Sequence, residues 1–140
     1  MFNKDYETRV SLWRQFREDL ELSKTPLQDV VNFYETAPTV SIHTDPWDDT
    51  TWPDPWELVY ENQYCGFCKL LGICYSLQLT ERFNQKKFEI HIGIDHTNTE
   101  TYYLLFIDDQ VIGYNDEIIS NENLPSTIVS HKTYTMPALQ

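Results

Sequence analysis

The sequence predicts an α+β domain in which helices come first and an antiparallel β-meander follows. Three observations carry that expectation. Apolar residues recur at helical spacing over the first third of the chain, residues 69–79 are apolar nearly all round, and residues 88–95 alternate between apolar and polar. A helix without a polar face is usually buried in the middle of a domain. A helical half followed by a stranded half is the α+β pattern.

Residues 4–22 place Leu12, Trp13, Phe16, Leu20 and Leu22 among charges at close to helical spacing. Ser23-Lys24-Thr25-Pro26 ends that helix and opens another. Thr25 is the expected N-cap, Pro26 takes the first helical position, and Gln28 completes a capping-box pattern. Leu27, Val30, Val31 and Tyr34 form the expected buried stripe. Proline, aspartate and threonine punctuate residues 37–53 too heavily for a regular element. Asp54, Pro55 and Glu57 then repeat the N-cap, first-turn proline and capping box of a short helix.

The polar stretch Glu61-Asn62-Gln63-Tyr64 leads into Cys65 at the head of the apolar helix, the feature around which the chain is organised. Cys65 and Cys68 fall in its first turn, where free backbone amides and the macrodipole favour a thiolate. Residues 81–87 form a polar exit. Phe88, Ile90, Ile92 and Ile94 then alternate with Glu89, His91, Gly93 and Asp95, the period of a strand. Turns at 97–100 and 108–110 separate two further strands over 102–107 and 111–114. The chain beyond Asn115 is rich in Asn, Ser and Pro. The expected organisation is one domain over 1–114, with a helical pair in 1–36 and a core in 52–114, followed by an extended or loosely docked tail over 115–140.

At 140 residues, the chain is long enough for one buried core. A hydrophobic fraction of 41% and an aromatic fraction of 14% argue for a folded protein. The formal charge of -12 works against binding to nucleic-acid phosphates and against attachment to anionic membranes. No stretch approaches the roughly 20 apolar residues that span a bilayer. The first residues lack the basic and apolar regions of a signal peptide. Three cysteines, two of them three residues apart, fit a reducing compartment better than a disulfide framework. The expected location is therefore cytoplasmic, or the virion for a phage-encoded chain.

Cysteine chemistry needs a nucleophile, a base and a group to orient the base. Cys65 at the helix start supplies the first. His91 lies on the strand face opposite the isoleucines, beside Gly93, whose lack of a side chain leaves room for a thiol. With a hairpin turn centred near Thr99, His91 stands opposite Asp108, close enough for the carboxylate to hold the imidazole. Each residue also has a structural reading: a buried helix-start cysteine, a satisfied strand histidine, and an ordinary hairpin turn at Asp108-Asp109-Gln110.

Trp52-Pro53-Asp54-Pro55-Trp56-Glu57-Leu58, a short polar stretch and then Cys65 at the head of an apolar helix resemble the transglutaminase-like superfamily. The resemblance covers about residues 52–110. It implies a papain-like fold with a central helix on an antiparallel sheet. Cys65 would be the nucleophile, His91 the general base and Asp108 the orienting carboxylate, with no cofactor. The expected activity is acyl transfer or hydrolysis on a protein or peptide amide. The chain departs from the pattern at Tyr64 before the cysteine, at Gly66-Phe67-Cys68-Lys69 after it, and at Gly93, where an aromatic is common.

Other chemistries compete for the same residues. Cys65, Cys68, His91 and His96 make a two-Cys, two-His set that could ligate zinc, although the two histidines fall along one strand and its turn. Cys65-Gly66-Phe67-Cys68 also has thioredoxin-like spacing, but the lead-in at 55–60 reads as helix where that fold needs a strand. His43 and His131 belong to no constellation. Trp47, Trp52 and Trp56, clustered with prolines, suggest a packed lid over the core. The reading from another class is a non-catalytic assembly module on the same fold, such as a bacteriophage tail, baseplate or virion component. The C-terminal tail would then contact a neighbouring subunit.

Overall fold

Among the described residues, four α-helices precede five strands, so the α+β class is observed. The computed structural model describes every residue except Ile42, His43, Asp116 and Gln140. His43 therefore lies outside the described residues. The chain divides into a helical unit, Met1–Gln85 with Leu139, and a sheet unit, Lys86–Ala138.

In the helical unit, α1 (Tyr6–Leu22) starts at Asp5, whose carboxylate accepts from Thr8 N at 2.9 Å. Trp13 and Leu20 are buried, whereas Leu12 is 39% and Leu22 87% exposed, so the expected stripe is narrower than its apolar residues. Helix α2 (Pro26–Glu35) begins with Pro26 as expected, but its capping box does not form. Thr25 Oγ1 donates to Asp29 at 3.0 Å and Gln28 pairs with Asn32, so both side chains bond along the helix surface instead. Pro26, Val30 and Tyr34 are its buried residues; Leu27 and Val31 are half-buried.

Helix α3 (Pro55–Glu61) carries both halves of its capping box. Asp54 accepts from Glu57 N at 2.8 Å, and Glu57 accepts from Asp54 N at 3.1 Å. Its far end is held by Arg9, which donates to Val59 O and Tyr60 O at 3.0 Å each. A cation there suits the negative end of the helix dipole. Among the described residues of 37–53, the regular features are a short 3-10 turn at Asp49–Thr51 and an isolated parallel bridge between Thr39 and Tyr64. The lid reading of the tryptophans fails for Trp47, which stands about half exposed. Trp52 packs on Phe67 at 4.9 Å, and Trp56, though half exposed, meets the buried Trp13 edge to face at 5.3 Å.

Helix α4 (Gly66–Gln78) is buried along nearly its whole length. Gly72 lets α2 approach it: a Cβ there would lie 2.4 Å from the Tyr34 ring. One turn on, the Ser76 hydroxyl donates to Gly72 O at 2.8 Å. It receives the Trp13 indole N–H at 2.9 Å and meets the Tyr34 hydroxyl at 3.1 Å. A serine hydroxyl has one donor and two acceptor sites. With its hydrogen on Gly72, Ser76 accepts from Tyr34, and all three sites are filled. Burial pushes the Tyr34 phenol up to about 12, keeping it a donor.

In the sheet unit, strands β1 (Phe88–Asp95), β2 (Thr101–Ile107), β3 (Gln110–Tyr114), β4 (Glu117–Ser120) and β5 (Ile128–Thr135) lie in the order β4-β3-β2-β1-β5, all neighbours antiparallel. The expected tail is thus two strands. β5 pairs along β1 from Glu89 to Asp95, with a bulge between Ile92 and Gly93. That bulge ends the strict alternation of β1, since Gly93 is buried and Ile94 only half-buried. One face buries Phe88, Ile90, Ile92, Leu105, Ile107 and Ile112. The other holds a smaller cluster of Leu104, Phe106, Val111 and Ile128, flanked by Tyr102, Tyr114, Ile119 and Leu124. Gly113, at φ +115°, passes so close to Tyr103 O that a Cβ would lie 2.3 Å away.

Two outcomes follow. Ser76→Ala strands two buried donors and should lower unfolding free energy by about 2–6 kcal/mol, at ~1–3 for each stranded group; urea denaturation measures it. A chain ending at Asn115 loses β5 and bares β1, so size-exclusion chromatography should show aggregation where the intact chain elutes as a single folded species.

Candidate functional site

Cys65 is the N-cap of α4 rather than a first-turn residue, and its Sγ accepts from Cys68 N at 3.4 Å. The sulfur thus serves as the helix-capping acceptor, a role usually taken by a serine, threonine or aspartate oxygen. The residue is 1% exposed. Tyr64 before it is fully buried, packed edge-on to Phe2 at 5.4 Å and tilted against Tyr34 at 5.8 Å. Burial pushes the Tyr64 phenol up.

Cys68 is also buried, and its Sγ donates to Thr44 Oγ1 at 3.3 Å. Burial pushes its thiol up to about 11 despite the bond to Thr44. Cys74, deeper in α4, donates to Gln78 Oε1 at 3.4 Å, and burial pushes it up as well. All three thiols are free.

His91 and Asp108 belong to the sheet unit. His91 pairs with Leu104, not with Asp108. Asp108 lies four residues further along β2, roughly 13 Å away at about 3.3 Å per residue. The cause is the preceding turn. Asp95 accepts from both Thr97 N at 2.9 Å and Thr97 Oγ1 at 2.7 Å, which starts the reversal early and centres it between Thr97 and Asn98. These bonds hold the Asp95 carboxyl below its usual range.

Both ring nitrogens of His91 are engaged: Nδ1 with Ser130 Oγ at 2.7 Å and Nε2 with Glu89 Oε1 at 3.4 Å. Its ring stacks on Phe106 at 4.0 Å. Burial would raise Glu89, yet His91 and Lys87 hold its carboxyl below the ordinary value. The space beside His91 is filled, because a Cβ on Gly93 would lie 2.8 Å from Ile128. Asp108 accepts from Lys87 N at 2.9 Å and faces Lys86 Nζ at 3.7 Å, and its φ of 51° belongs to the hairpin turn. The arrangement expected of a base and its orienting carboxylate is therefore not built.

Among the described residues, no three or more His, Cys, Asp or Glu side chains gather as a metal site. None of the described helices is long and apolar enough to cross a membrane. The sequence reading missed an exposed aromatic group, Tyr6, Trp56 and Tyr60. The spacing of Trp56 and Tyr60, one helical turn apart, was the available signal. No known protein family matches the sequence, and no curated protein or solved structure is similar to it.

The Cys68 shift sets a pH dependence. The unfolded thiol ionises near the ordinary value of about 8.5, while the folded one holds its proton to about 11. The folded state then binds more protons in between, so its stability is full below the lower value and falls as pH rises towards the upper one. Urea midpoints across that window should decline, and Cys68→Ala should decline less steeply.

Proposed function

We propose that this chain is a non-catalytic module that acts by binding another protein, and that its cysteine-headed helix is structural. The burial of Cys65 carries this reading. A thiol that is 1% exposed and already caps its own helix has no path to an amide substrate. Two further observations support it: His91 is committed to Glu89 and Ser130, and Asp108 to Lys86 and Lys87.

The resemblance to the transglutaminase-like superfamily would then describe a scaffold kept without its acyl chemistry. A binding role fits the exposed aromatic side chains on α1 and α3 and the charge of -12. Assembly through the C-terminal segment is not part of this reading, because residues 128–135 pair along β1.

Alkylation of the intact chain by iodoacetamide, mapped by mass spectrometry, tests the proposal. Cys65 should react only at the rate of unfolding, and denaturant should release it. Fast native labelling with an apparent pKa well below about 8.5, raised by His91→Ala, would restore the catalytic reading.

A further inference from the structure

The helical unit carries an aromatic surface that its own core leaves in water. Tyr6 on α1 and Trp56 and Tyr60 on α3 are 38%, 46% and 67% exposed. With Glu57 and Glu61 they line an open cleft of about 460 Å3. Trp56 and Tyr60 lie one turn apart on α3, as do Glu57 and Glu61, so an aromatic row runs beside an acidic one. The Tyr6 and Tyr60 rings meet edge to face at 5.2 Å. Glu57 uses one oxygen in the α3 cap. Among the described residues, the Glu61 carboxylate makes no hydrogen bond or ion pair.

Aromatic faces and carboxylates attract the same guest, an organic cation. The protein's own arginines already lie over rings at or beside this surface, Arg9 at 6.0 Å from the Tyr6 ring centre. The Arg17 guanidinium lies 4.4 Å from the Trp13 ring centre and 5.9 Å from that of Trp56. A planar guanidinium can stack on a ring while its N–H groups fork onto a carboxylate, which a lysine ammonium cannot do. The cleft is also held in shape. Arg9 bonds Val59 O and Tyr60 O, tying α1 to the end of α3 that bears Tyr60. A site formed before binding loses less freedom on capture. Its volume falls in the range of small-ligand pockets, larger than one guanidinium needs, leaving room for flanking backbone.

We propose that this cleft binds an arginine side chain presented by a peptide segment of a partner protein. The proposal rests on the reading of the chain as a binding module and names its surface and the chemistry of its partner. The net charge of -12 draws a basic segment towards the protein, and the aromatic row selects the guanidinium.

The test is a nuclear magnetic resonance titration of the full chain with the capped peptide Gly-Ser-Arg-Ser-Gly and with its citrulline counterpart, equal in shape but uncharged. The Trp56 indole and the amides of Tyr60 and Glu61 should shift with the arginine peptide. The citrulline peptide should bind about tenfold more weakly, the loss expected for a partly desolvated cation–π contact. Tyr60→Ala and Glu61→Gln alter exposed groups and should weaken arginine binding several-fold, Glu61→Gln without changing the melting temperature. Equal binding of citrulline, shifts spread evenly over acidic surfaces, absence of shifts, or wild-type affinity in Tyr60→Ala would each overturn the proposal. A concentration-dependent dimer dissolved by Tyr60→Ala and indifferent to the arginine peptide would overturn it too, in favour of a second copy. Cys65 labelling is a separate readout, so loss of the cleft and loss of the module reading remain distinguishable.

Discussion

The helical unit closes on the hydroxyl of Ser76. A buried polar group in an apolar helix is destabilising unless its hydrogen-bonding capacity is met. Here Gly72 O, the Trp13 indole and the Tyr34 hydroxyl meet it in full. The Trp13 and Tyr34 contacts join α1 and α2 to α4. Gly72 makes the approach possible by leaving out a Cβ where the Tyr34 ring lies. Apolar burial drives the helices together without direction; the Ser76 network selects the arrangement.

The cysteine chemistry follows from that arrangement. With α4 set by its packing, its first turn is buried beside Tyr64 and Thr44, and the helix's free amide is capped by the Cys65 sulfur. A helix N-terminus favours a thiolate, but burial favours the thiol. For Cys68 burial prevails, and its thiol is pushed up to about 11. The feature that most resembles a catalytic site in the sequence thus works as a cap and a packed core.

In the sheet unit, one carboxylate decides the register. Asp95 accepts two bonds from Thr97 and reverses the chain early. The β1–β2 pairing then puts Leu104 opposite His91 and carries Asp108 to Lys87. β5 completes the unit by pairing along the free edge of β1, and its Ile128 fills the hollow left by Gly93. His91 is consequently a packed strand residue, stacked on Phe106 and bonded at both nitrogens.

Local signals in the sequence were enough for the helices, the Asp54–Glu57 capping box, the buried course of α4 and the alternation that begins β1. These depend on residues within one or two turns of each other, so spacing alone expresses them. The Thr25–Gln28 box has the same spacing yet fails, because the Thr25 backbone N–H that Gln28 would cap donates to Ser23 Oγ at 3.0 Å. What needed the tertiary structure depends on contacts between distant residues. β5 reads as a polar tail because most of its side chains are exposed, and its place comes from backbone bonds to β1, which no side-chain pattern announces. The burial of Cys65 and the separation of His91 from Asp108 are of the same kind. Cys65 is 1% exposed, and the histidine is displaced from the aspartate by a turn centred between Thr97 and Asn98, before Thr99. Residue type determined which chemistry was available; long-range packing buried Cys65 and set His91 apart from Asp108.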